Sequence, residues 1–164
     1  MKPFWIDTGN ELRLAIVPRP RGGDWLEEEV LAMKGAGIDI VVSMLRAEEE
    51  GELGLETEAD ACRAAGLEFK SFPIQDREVP TSRASFAAFV RQLRAQIHSG
   101  RSLAVHCRAS IGRSSLLLAG ILCAEGFSPE DAFRLLAKAR GLQVPDTPEQ
   151  VRWIESFAAN LDFA

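Results

Sequence analysis

Cys107 and Arg113 stand with five residues between them in the stretch "HCRASIGRSS", residues 106–115. A thiol and a guanidinium can act together on an anion. The thiolate attacks, and the planar guanidinium takes two oxygens of a tetrahedral oxyanion through parallel hydrogen bonds. The spacing alone is a weak signal, and its context sharpens it. The apolar run "SLAV" leads in and "LLLAGILCA" leads out, so the cysteine falls where a strand ends and the arginine where a helix begins. A strand–loop–helix junction with a glycine in the loop aims several backbone N–H groups at one spot, with the positive end of the helix dipole behind them. The same field favours thiolate over thiol. An arginine in the first helical turn runs against that dipole, a placement that makes sense with an anion present. Residues 108–113 therefore read as a phosphate cradle: Arg108, Ala109, Ser110, Ile111, Gly112 and Arg113.

The elements that must carry this loop alternate along the chain. Leu12–Val17, Ile38–Leu45, "LEFKSF" and "SLAVHC" read as strands, and Ile38–Leu45 is apolar almost throughout, as a strand covered on both faces should be. Between them, a helix from a cap at Asp24 to about Lys34 places Trp25, Val30 and Met33 on its apolar side. A shorter helix follows the acidic segment and ends near Ala65, with Gly66 as its C-cap. Ser82 or Thr81 caps a helix on which Phe86, Phe89, Val90, Leu93 and Ile97 share a face. Arg113 to about Glu125 is apolar nearly all round, which predicts a buried central helix. "SPED" and "TPEQ" open two more helices, with Ser128 and Thr147 as caps and proline at the first position. The predicted fold is α/β: a mainly parallel central sheet with helices on both faces and the cradle between a strand and the central helix. Ligands bind beyond the carboxyl ends of such strands, where Cys107 falls.

Bulk properties narrow the function. The chain has 164 residues, 46% apolar and 26% charged, enough for a single domain over residues 1–164. A net charge of −5 argues against nucleic-acid binding over a broad basic face, while a local anion site stays possible on an acidic protein. "MKPFWIDTGN" has no apolar core of a secretory signal, and Leu116–Ala124 is too short to span a bilayer. Three cysteines without a CxxC pair and two histidines predict neither a disulfide framework nor a zinc site. The expectation is a cytoplasmic monomer with reduced thiols, without membrane or nucleic-acid partners, metal or other cofactor.

From His106 to Ser114 the sequence resembles the cysteine-dependent protein tyrosine phosphatase superfamily, whose signature is His-Cys, five residues, Arg, then Ser or Thr. "FPIQDREVP", residues 72–80, resembles the general-acid loop of the compact dual-specificity branch, the kinase-associated phosphatase type in particular. "GLQVPDTPEQ" resembles the loop after the signature in the same group. The likeness runs from about Leu12 to Phe157. It implies hydrolysis of phosphomonoesters, with a phosphorylated protein or peptide as substrate. Cys107 would attack phosphorus, Arg113 would bind the phosphoryl oxygens, and Asp76 would protonate the leaving oxygen and later activate water. Ser114 would hydrogen-bond the sulfur, or cap the helix, or both; His106 would orient the loop. Gln150 has two readings, a water-positioning residue by resemblance and the third residue of a Thr147 capping box by position. Cys62 and Cys123 read as packing residues, with a protective disulfide to Cys107 as the alternative.

One residue departs from the family pattern. Ser110 stands where glycine is usual. If the position needs a positive φ, serine there costs about 1–2 kcal/mol. A feebly active binding module of the same fold is therefore a rival reading. Phosphoinositide or RNA phosphate hydrolysis is another, though only Arg108 adds charge to the loop and Ile111 is apolar. Arg19 and Arg21 read as solvated loop charges in preference to a substrate groove, and Glu48–Glu50 as a solvated acidic face.

Overall fold

The computed structural model describes residues 2–161. Five strands form one sheet in the order β1-β2-β5-β3-β4: β1 (Phe4–Trp5), β2 (Leu14–Ile16), β3 (Ile40–Ser43), β4 (Glu68–Ser71) and β5 (Leu103–His106). The last four run parallel, and β1 pairs antiparallel with β2 at the edge. That short edge strand was not expected from the sequence. Ile40 pairs with Leu103 and Ser43 with His106, so β3 and β5 end side by side.

Helices cover both faces. The strands alternate between two cores as a period of two requires. Ile40, Val42, Leu103 and Val105 face α4 (Arg83–His98), α5 (Arg113–Ala124), α6 (Pro129–Arg140) and α7 (Pro148–Ala159). Val41 and Ala104 face α1 (Leu26–Gly35), α2 (Ala47–Leu53) and α3 (Glu58–Ala64), with Val30, Met33, Leu55 and Cys62. All twelve residues of α5 are buried, which makes it the central helix its composition predicts. Ser82, Ser128 and Thr147 cap their helices, each accepting a bond from the amide three residues on.

Two local expectations fail. Asp24 caps nothing: it lies within a 3-10 turn, Gly23–Trp25, and α1 starts at Leu26. Trp25 is accordingly swung out of the α1 face, 52% exposed, with the Arg21 guanidinium 4.3 Å from its ring centre. The acidic segment is itself helical over Ala47–Leu53, supported by a bond from the Arg46 amide to Glu49. No described helix is long and apolar enough to cross a membrane.

Candidate active site

Four parallel strands deliver four loops to the carboxyl end of the sheet. β5 delivers Cys107, and residues 107–112 wrap into the amino end of α5. β3 delivers Met44 and, through α2, Glu49; β4 delivers the loop with Asp76; β2 delivers Val17 and Arg19. Strand order, not sequence distance, brings these groups together.

Arg113 is the hub. It is 1% exposed, and its guanidinium makes a forked pair with Glu49, Nη1–Oε1 at 2.6 Å and Nη2–Oε2 at 2.9 Å. Nη1 also donates to the carbonyls of Ile74 at 2.8 Å and Met44 at 3.5 Å, fixing the plane of the fork. Nη2 lies 3.2 Å from Oδ1 of Asp76. Nε is buried with no hydrogen-bond partner among the described residues. A buried donor left over on a cation is a strong pull for an anion. Burial acts to lower the Arg113 pKa, but the bonds to Glu49 and the negative charges of Cys107, Glu49 and Asp76 override it and hold the pKa above its ordinary value. Burial likewise pushes the Glu49 carboxyl up, and the Arg113 and Arg46 bonds bring it below its ordinary value.

The nucleophile candidate is buried at the bottom of the same loop. Cys107 Sγ lies 3.4 Å from Ser114 Oγ, so the hydroxyl can donate to the sulfur from the first turn of α5. Gly112 sits against Asp146 and Gln150: a Cβ there would collide with the Asp146 carboxylate and lie 3.0 Å from the Gln150 amide nitrogen. A side chain at that position would have to displace the Asp146 carboxylate. Ser110 does hold a positive φ, 55°, and its hydroxyl donates to the Val17 carbonyl at 2.6 Å. A buried hydrogen bond of this kind offsets about 1 kcal/mol of the strain.

The outer face of the loop is braced. Arg140 donates from Nε to the Ser110 carbonyl at 3.1 Å and from Nη2 to the Ala109 carbonyl at 3.4 Å, with Phe4 stacked 4.7 Å beneath it. Arg19 donates to the Arg108 carbonyl at 3.0 Å. Arg108 itself pairs with Glu52 at 3.1 Å. With three carbonyls of the loop held outward, the local backbone turns its amides toward the cradle side.

Behind the cysteine, His106 is fully buried and its Nε2 meets the Glu58 carboxylate at 2.5 and 3.0 Å. Glu58 is itself only 2% exposed, at the start of α3. The pair fixes the ring. Gln150 satisfies its capping box, its Oε1 accepting from the Asp146 and Thr147 amides. Its Nε2 donates to the Glu78 carbonyl at 3.1 Å, tying the Asp76 loop to α7. Position as cap and position beside the cradle therefore coexist in one side chain. Cys62 and Cys123 are buried free thiols, and burial pushes them up to about 12 and about 11, with the Glu58 charge adding to the shift at Cys62.

Four groups at the site are not expected from the sequence. Glu49 belongs to an acidic run that reads as a solvated face, yet the run follows β3, whose end adjoins that of β5. Arg19 is exposed, as a solvated loop charge should be, and also bonds the cradle. Glu58 and Arg140 carry no signal in the sequence, because only tertiary packing brings them to the loop.

Such a site can bind a phosphoryl group at the mouth of α5, present a sulfur to it, and offer an acid from Asp76, which is 53% exposed at the rim. The fold agrees with solved phosphatases. Kinase associated phosphatase, solved with serine in place of its catalytic-site cysteine, superposes with a TM-score of 0.84 at 20% identity, covering 98% of both chains. Tk-PTP in its active form gives 0.79 at 22% identity over 97% of both chains. PTPMT1 in complex with PI(5)P gives 0.73 at 22% identity, over 94% of this chain and 95% of that one. In sequence, the protein named "Putative tyrosine phosphatase 197R" of Invertebrate iridescent virus 6 is 30% identical over 139 residues. That match takes in 81% of this chain, which spans about half, 48%, of the viral protein's length. Residues 17–127, from the end of β2 through the whole cradle and α5, match the family described as "Tc-R-P: Polymorphic toxin system, DSP-PTPase phosphatase". With more than half of its length in that match, the chain belongs to the DSP-PTPase phosphatase family.

Proposed function

We propose that this chain is a metal-independent phosphomonoester hydrolase of the protein-tyrosine or dual-specificity type, working through a cysteinyl phosphate on Cys107. The observation that carries the reading is Arg113: a buried guanidinium, aimed by Glu49 and two carbonyls, with Nε unpartnered among the described residues, at the start of the helix whose first turn also holds Ser114 against Cys107. In the first step the Cys107 sulfur attacks phosphorus and the ester oxygen departs with a proton from Asp76. Arg113 and the amides of residues 108–113 hold the three equatorial oxygens, where charge is spread in the transition state. In the second step Asp76 takes a proton from water, which attacks the phosphorus. The sulfur leaves as thiolate, stabilised by the Ser114 hydroxyl 3.4 Å away. Gln150, on the Gly112 side of the cradle and bonded to the Asp76 loop, would orient that water through the second hydrogen of its Nε2 in this reading. Residues 1–164 act in this reading as one phosphatase domain, on a phosphorylated protein or peptide.

The test is phosphate release from an aryl phosphate in the presence of a chelator. Wild type should be active, Cys107→Ser inactive, and Asp76→Asn slowed by about 10²–10³-fold with a poor leaving group and far less with a good one. Activity that survives Cys107→Ser would place the nucleophile elsewhere.

A further inference from the structure

A groove of about 640 Å³, outside the proposed chemistry, runs from the cradle residue Ile111 along residues 143–148 to the first turns of α7. Ile111, Val144, Pro145 and Val151 give it apolar walls. Two carboxylates line it as well, the half-buried Asp146 and the exposed Glu155. The Asp146 carboxylate lies over the bare Cα of Gly112, so this charge borders the cradle directly. Neither carboxylate accepts a hydrogen bond or makes an ion pair among the described residues; the bond from Asp146 to Gln150 is made by its backbone amide, at 3.0 Å. Arg152, exposed in the same lining, likewise pairs with no acid among the described residues. Two acids thus stand against one arginine, and the groove keeps a net negative charge on apolar walls.

From this we infer that the groove takes a lysine or arginine of the substrate peptide, within a few residues of the phosphorylated one, and that Asp146 sets this preference. The inference deepens the phosphatase reading and rests on it. A long basic side chain matches both features of the groove: its methylenes lie along the apolar walls and its charged head reaches a carboxylate. An apolar side chain would cover Asp146 and leave a desolvated charge without a partner, which costs free energy. An acidic one would meet two like charges. The amide bond to Gln150 already holds the Asp146 backbone at the start of α7, so little ordering is left to be done on binding. Because Ile111 belongs to both the cradle and the groove, the distance between them suits a neighbouring residue. An extended peptide advances about 3.3–3.6 Å per residue.

The probe is a phosphotyrosine peptide with alanine at its flanking positions, compared with peptides carrying lysine or glutamate at one to three residues on either side. Binding to the Cys107→Ser chain, measured by calorimetry, needs no turnover. At least one lysine peptide should bind about 5-fold more tightly than the alanine peptide, with the gain shrinking at high salt, and its glutamate counterpart should bind more weakly than either. Asp146→Asn should bring the lysine-to-alanine ratio close to one, and Glu155→Lys should lower it. The ratio cancels any effect of a variant on the cradle itself, so it reports on the groove. Should Asp146→Asn fail to fold, Glu155→Lys, at an exposed position, decides alone. Equal binding of the lysine and alanine peptides, tighter binding of the glutamate peptide, no binding of any, or a lysine gain that survives these substitutions would each overturn the inference. Turnover by wild type of an aryl phosphate, which has no flanking residues, separately decides the phosphatase reading.

Discussion

Ser110 holds a φ of 55° and donates its hydroxyl to the Val17 carbonyl at 2.6 Å. One residue thus carries the strain of the cradle's turn and part of its compensation, and the compensating bond ties the cradle to the end of β2. The serine is built into the loop through that bond. Ser110→Gly, which relieves the strain and loses the bond, should change stability by no more than about 1 kcal/mol. Ser110→Ala keeps the strain and loses the bond, and should cost about 1–2 kcal/mol. Urea unfolding of wild type and the two variants checks the order; an alanine variant as stable as wild type would show that the hydroxyl contributes nothing, and one as stable as the glycine variant that the positive φ costs nothing.

Glu49 aims Arg113, so Glu49→Gln should lower kcat/KM by about 10²-fold while the fold persists. Its pH signature follows from the carboxyl's lowered pKa. A group held below its unfolded value stabilises the fold above that unfolded value, near 4.5, and the contribution is lost as pH falls through the folded value. The stability gap between wild type and Glu49→Gln should therefore be full at neutral pH and close in acid. A gap independent of pH would contradict the ion pair.

Arg140 acts through the loop carbonyls. Arg140→Ala should reduce kcat/KM by about 10-fold and weaken inhibition by inorganic phosphate by a similar factor. A purely structural arginine would lower the unfolding midpoint and leave phosphate inhibition unchanged.

Much of this was legible in the sequence because it is local. The cap residues, the buried α5 and the Cys107–Arg113 loop follow from short-range patterns, and the parallel strands follow from their alternation with helices. Asp76 could be placed only by resemblance, and the structure sets it at the rim, 3.2 Å from Arg113. What stayed hidden depends on long-range pairing. Glu49 is recruited because β3 neighbours β5, Glu58 because α3, packed on β4, reaches His106 at the end of β5, and Arg140 because α6 ends at the loop carbonyls. Trp25 misled because a glycine-started 3-10 turn, not a capped helix, sets its direction.

The buried thiols set an alkaline limit. Unfolded, Cys62 and Cys123 ionise near their ordinary value of 9.0; folded, they stay neutral to about 12 and about 11. Between those values the unfolded state has released protons that the native state retains, so stability falls as pH rises above about 9. Replacing both by alanine should lower stability at neutral pH through lost packing, yet flatten the alkaline decline. An equally steep decline in the double variant would assign it to other groups.

The proposed mechanism turns on a covalent bond between Cys107 and phosphorus. The most direct measurement is rapid acid quench of the chain during turnover of an aryl phosphate, followed by mass analysis of the peptide containing residue 107. One added phosphoryl group should appear on Cys107, absent in Cys107→Ser and accumulating in Gln150→Ala, where water is poorly placed for the second step. Turnover with no phosphoryl group on that peptide, in wild type or in Gln150→Ala, would contradict the cysteinyl-phosphate mechanism.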